Sequence, residues 1–118
     1  MHELGVMCKV IEKISEICDE QNIPKVSSIT LEIGELSGIV PIYMERCFPA
    51  VTYNKPRFID TELKLEVIEG DAQCEKCGTI FNVVKHNGYC PKCNSFDKQV
   101  LSGLDFIIKE IAVPNEEE

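Results

Sequence analysis

Four cysteines, Cys74, Cys77, Cys90 and Cys93, stand as two Cys-x-x-Cys pairs separated by twelve residues, a complete tetrahedral set of thiolate ligands within one short segment. Each pair can grip one ion because two intervening residues let the chain turn back with backbone N–H groups directed at the sulfurs. Gly78 and Asn94 follow the second and fourth cysteines, where such a turn needs a positive φ, so the segment reads as two stacked knuckles. Structural zinc is the reading this spacing favours. A thioredoxin-like dithiol needs one pair rather than two, and an oxidised framework needs an extracellular setting. Four thiolates leave no coordination position open, so a zinc ion here would fold the segment rather than activate water.

The whole chain has 118 residues, enough for one small core, whereas a metal segment of about thirty residues cannot hold itself together without its ion. The expectation is therefore one domain with an inserted metal module. The start lacks a basic stretch followed by an apolar run, and no apolar segment approaches membrane length, which predicts a soluble, cytoplasmic protein with no membrane partner. Beyond the four paired cysteines stand Cys8, Cys18 and Cys47, an odd set that suits a reducing compartment and reads as small core hydrophobes. The formal charge is −8, and four thiolates around one divalent ion would take it to about −10. Such a chain repels phosphates, so no nucleic-acid partner is expected; Lys76, Lys85, Lys92 and Lys98 read as compensation around an anionic site. Glu116-Glu117-Glu118 reads as a solvated tail. A hydrolase reading lacks a catalytic set, because the zinc is saturated and no Ser/His/Asp or paired-carboxylate spacing appears.

Ahead of the metal segment, apolar residues recur at Leu4, Met7, Ile11, Ile14 and Cys18, with Glu3 among the residues facing away, which predicts an amphipathic helix ending near Asn22 and Pro24. Ser28 to Ile33 alternates as a strand with one wet face. Pro41 can open a second helix, which Pro49 should kink or shorten. Glu62 to Glu69 alternates again, with Leu63, Leu65 and Val67 inward, and Leu104 to Val113 carries apolar residues on both faces as a central or covered strand would. The strands entering and leaving the metal segment can pair only if that segment returns the chain to its point of departure. The predicted fold is α+β: two helices packed on a small three-stranded mixed sheet, with an inserted zinc-ribbon-like module built on the four cysteines. Residues 1–69 plus 101–118 form the α/β domain and residues 70–100 the zinc-binding domain.

The chain opens Met1-His2-Glu3, placing one of its two histidines beside the α-amine. The terminal amine, the amide nitrogen of His2 and its imidazole can close fused chelate rings on one ion, with the Glu3 amide nitrogen close enough to compete. Nitrogen ligands in a plane favour Ni(II) or Cu(II) over zinc. The first N–H groups of a helix have no intrahelical partner, so a first turn can give up amide protons without losing helix bonds. By spacing alone a second-position histidine is more often simply exposed.

Four stretches are Met1-His2-Glu3-Leu4, Ile33-Gly34-Glu35-Leu36-Ser37-Gly38, Leu65-Glu66-Val67-Ile68 leading into Cys74-x-x-Cys77-Gly78, and Cys90-Pro91-x-Cys93. Together they resemble the HypA/HybF family of nickel-insertion chaperones for hydrogenase maturation. The likeness covers most of the chain in the family's order. It implies a non-enzymatic carrier with nickel at His2 and Glu3, through the imidazole and backbone nitrogens, to which the chelate reading adds the Met1 amine, and structural zinc at Cys74, Cys77, Cys90 and Cys93. It also implies a HypB-like maturation GTPase and the hydrogenase large-subunit precursor as partners, and leaves urease maturation factors and a homodimer open. The competing reading is a zinc-ribbon module for protein or nucleic-acid interaction, against which the acidic charge speaks. His86, alone between the cysteine pairs, reads as a surface residue.

Overall fold

The apolar stripe folds as predicted into α1, His2–Glu20, in the computed structural model, which describes residues 2–114. Met7, Ile11, Ile14 and Cys18 are each 1% exposed or less, at the three- and four-residue spacing that lines one helix face. Leu4 lies off that face and is exposed, whereas Glu3 is buried, the reverse of the expectation for both. At the other end Asn22 takes a left-handed φ of 58°, and the Ile23 N–H donates to the Cys18 carbonyl. Arg57, on the short 3-10 turn Pro56–Phe58, then donates to the Ile23 carbonyl and to Asp19 Oδ1 at 3.0 and 2.9 Å.

After α1 come β1 (Ser28–Gly34), α2 (Pro41–Thr52), β2 (Glu62–Ile68), β3 (Asp71–Cys74), β4 (Ile80–Asn82), β5 (Lys98–Val100) and β6 (Phe106–Ala112). The long strands form one sheet in the order β2-β1-β6 and the short ones a second in the order β4-β3-β5. Bonds from Glu62 N–H to Ser27 O and from Glu35 N–H to Ile68 O step the same way along β1 and β2, so that pair is parallel. Ser27 N–H to Ala112 O and Gly34 N–H to Asp105 O step oppositely along β1 and β6, so that pair is antiparallel and the sheet is mixed. Parallel neighbours need a crossover, and α2 supplies it between β1 and β2.

This order corrects two expectations. β1, read as having a wet face, is the central strand and is buried at every position except the half-buried Glu32. Ser28 and Thr30, the residues assigned to water, are small enough to lie covered between flanking strands. β6, read as central, is an edge strand with Ile107 exposed. The strands that enter and leave the metal segment therefore flank β1 rather than pair with each other. Pro49 does not end α2, which continues to Thr52. The missing N–H removes one backbone bond near the helix end, and burial of Cys47, Phe48 and Thr52 around it offsets that loss.

The chain divides into two compact units, one of Met1–Leu31, Val40–Glu66 and Ile107–Glu118, the other of Glu32–Ile39 and Val67–Phe106. In the first, α1 and α2 pack together over a core that includes Met7, Ile11, Ile14, Ile29, Leu31 and Met44. The second holds both Cys-x-x-Cys pairs together with the three short strands, in which Ala72 stands opposite Phe81 on β4 and Val100 on β5. A buried cluster there is formed by Ala72, Cys74, Phe81 and Cys90, edged by Val83 and Val100. In the same unit, a Cβ added to Gly103, whose φ is +88°, would stand 2.5 Å from the Gly70 Cα. Gly103→Ala should therefore destabilise this unit by roughly 2 kcal/mol or more, combining positive-φ strain with a clash against backbone. Thermal unfolding of the variant checks this, and an unchanged midpoint would refute it.

Candidate metal centre

Two knuckles of the same construction carry the thiols. Cys74 ends β3; its carbonyl accepts from Gly78 N–H at 2.9 Å, its N–H donates to Thr79 O, and Lys76 N–H points at its Sγ at 3.4 Å. Cys90 repeats each contact, with Asn94 N–H on its carbonyl, its N–H on Ser95 O, and Lys92 N–H 3.4 Å from its Sγ. Gly78 and Asn94 take φ of 79° and 64°, the left-handed turn positions expected of them.

The four Sγ atoms all lie within 4.8 Å of one another, and the Cys74–Cys93 and Cys77–Cys90 pairs stand at 3.5 Å. A tetrahedron with metal–sulfur bonds of ~2.3 Å has edges of about 3.8 Å, so this set fits one thiophilic divalent ion. Cys74 and Cys90 are buried while Cys77 and Cys93 are exposed, which seats such an ion at the rim of the small core. The thiols do not share their protons evenly. The Thr79 hydroxyl, 3.1 Å from Cys77 Sγ, and then its backbone N–H hold the Cys77 thiol down to about 6. A backbone hydrogen bond at Ser95 lowers Cys93, but its sulfur neighbours, Cys74 foremost, together with burial push it up to about 12. Four adjacent thiolates repel one another, and a divalent cation is what allows all of them to ionise.

His86 lies outside this group, exposed, with its ring edge-on to Phe81. Lys98, read as compensating the thiolates, instead sets its Nζ 3.4 Å from the centroid of the Phe96 ring. Of the remaining cysteines, Cys18 and Cys47 are buried as expected, and burial pushes the Cys18 thiol up; Cys8 is exposed, contrary to the core reading.

At the start of the chain, Met1 lies outside the described residues. His2 is the first residue of α1 and its side chain is exposed. Glu3 turns inward, and its Oε2 accepts the Val40 N–H at 3.1 Å. That pairing was not visible in the sequence, although a signal existed. Pro41 opens α2 after Val40, which has no capping side chain, and Tyr43 stands where a glutamate would reach back to the cap amide. The Val40 amide is met instead by a side chain from α1.

The family model for the hydrogenase/urease nickel incorporation metallochaperone HypA matches residues 1–113. This chain belongs to the HypA family. The hydrogenase maturation factor HypA of Geobacter metallireducens is 35% identical over 114 residues, spanning 96% of this chain and 99% of that protein. The HypA of Chlorobaculum parvum is 31% identical over 113 residues with the same coverage. The solution structure of the Ni metallochaperone HypA from Helicobacter pylori superimposes with a TM-score of 0.65 over 97% of this chain and 98% of that one; at 19% identity it shows a shared fold. A HypA-family chain is a metallochaperone of nickel incorporation rather than an enzyme, and the four cysteines of this chain stand close enough to hold one metal ion. Among the described residues no helix is long and apolar enough to cross a membrane.

Proposed function

We propose that this chain carries Ni(II) at Met1, His2 and Glu3, where α1 begins, and delivers it to the large-subunit precursor of a [NiFe]-hydrogenase in the cytoplasm, with a HypB-like GTPase as helper. Urease maturation factors are a second class of recipient. The His2 imidazole and the backbone nitrogens at this helix start bind the ion, together with the Met1 amine. Zn(II) is held by Cys74, Cys77, Cys90 and Cys93 and serves only to fold the segment around them. The α/β domain of residues 1–69 and 101–118 is the nickel carrier, and residues 70–100 are the zinc domain.

The observation that carries this reading is a family match that begins at residue 1 and includes an exposed histidine in the first helical turn. Amides there have no intrahelical acceptor, so their deprotonation by nickel leaves the helix bonds intact. Planar nitrogen ligation selects Ni(II) over zinc, whereas the soft tetrahedral thiolate set selects zinc, so the two ions sort themselves by chemistry. A site on an exposed helix end also releases its cargo more readily than a closed cage does.

An N-terminal extension tests the role of the amine. Adding a short Gly-Ser segment ahead of Met1 should weaken nickel binding by more than about tenfold while leaving zinc content unchanged. Nickel affinity unaltered by the extension would remove the amine from the ligand set.

A further inference from the structure

We propose that the Glu3 carboxylate is a positioning residue that clasps the first turn of α1 to the head of α2, and is not itself a nickel ligand. This rests on the nickel reading above and assigns the side chain a role distinct from that of its backbone nitrogen.

Three observations carry it. Glu3 is 7% exposed although it lies in the first turn of a helix, and its Oε2 is 3.1 Å from the Val40 N–H. Val40 is the N-cap of α2; its carbonyl accepts from Tyr43 and Met44 N–H, but no side chain of its own segment closes the turn. In a capping box, a glutamate three residues into the helix reaches back to the N-cap amide. Here that position is Tyr43, and Glu3, 37 residues before Val40, performs the same task from another helix. The helix dipole favours the arrangement, because a carboxylate meets the positive end of α2.

Helix ends fray, and a chelate needs its nitrogens held in one plane before the ion arrives. His2 is the first residue of α1, and Glu3, the next, is pinned by a charge-assisted bond to the head of α2. The clasp therefore sets the conformation of the backbone that presents the His2 and Glu3 nitrogens.

The test compares nickel affinity and the d–d absorption spectrum for untagged, zinc-loaded wild type, Glu3→Ala, Glu3→Gln, Val40→Pro and His2→Ala. Glu3→Ala should bind nickel about tenfold more weakly. Glu3→Gln keeps an acceptor for the Val40 amide and should recover most of that loss, to within about threefold of wild type. Val40→Pro deletes the same bond from the other side while leaving the carboxylate in place, and should reproduce the Glu3→Ala loss. The band positions of all three should match wild type, since the ligands are unchanged. If Glu3→Gln is as impaired as Glu3→Ala with a shifted spectrum, and Val40→Pro binds normally, the carboxylate is a ligand and the clasp is overturned. Failure of the underlying reading looks different: His2→Ala would then bind as wild type does, or wild type would take up no nickel.

Discussion

Cys93→Ser will release zinc and unfold the small unit while α1 stays folded. The expectation follows from how little else holds the short strands around the cysteines: their buried cluster is four side chains, and two of them, Cys74 and Cys90, belong to the proposed zinc set. Structural zinc contributes about 10–16 kcal/mol to small modules of this kind, far more than an ion-free core of this size can supply. Serine offers a hard oxygen in place of a soft thiolate, and zinc affinity should fall by more than about a hundredfold. Zinc content and hydrogen exchange report the two effects together, with protection lost over Asp71–Val100 and kept over α1. A variant that keeps one zinc and wild-type protection would contradict the structural role. The sign of the pH dependence follows from the thiols. With Cys77 drawn down to about 6 and Cys93 raised to about 12, the metal-free set still holds protons at neutral pH. Zinc binding must displace them, so uptake releases protons and affinity falls as the pH falls.

His2→Ala has the second large effect, and it falls on nickel rather than zinc. Removing the imidazole deletes a strong-field nitrogen from the proposed chelate, which a carboxylate oxygen would not replace in kind. Nickel affinity should fall by more than about a hundredfold. Zinc content and thermal stability should not change, because His2 is exposed and makes no contribution to the core. Titration followed by absorption in the visible range separates the outcomes: a yellow planar spectrum in wild type and none in the variant. Equal nickel binding by the two proteins would place the site elsewhere.

Much of this was legible in the residues. The helical stripe from Met7 to Cys18 and the alternation in Ser28–Ile33 are local patterns, and the knuckles follow from cysteine spacing with Gly78 and Asn94 at the turns. Strand order was not legible, because it depends on which distant segments pair. Apolar residues on both faces of Phe106–Ala112 suggested a central strand, whereas the centre went to β1, whose Ser28 and Thr30 are small enough to be enclosed. The strands β3, β4 and β5 have four, three and three residues, too short for any periodicity to show. Glu3 was assigned to water as a charged residue at a helix start; its burial depends on an amide 37 residues away. Charged side chains are read correctly from sequence only when their partners lie nearby, and here the partner was a helix head left uncapped by its own segment.

The central claim is that the first turn of α1 carries a nickel ion in addition to the zinc held by the four cysteines. Equilibrium dialysis of untagged, zinc-loaded protein against Ni(II), with both metals counted by elemental analysis, tests it most directly. The account predicts one tightly held nickel per chain beside one zinc, with the zinc undisturbed. Nickel that enters only by displacing zinc from the cysteines, or no uptake at all, would contradict it.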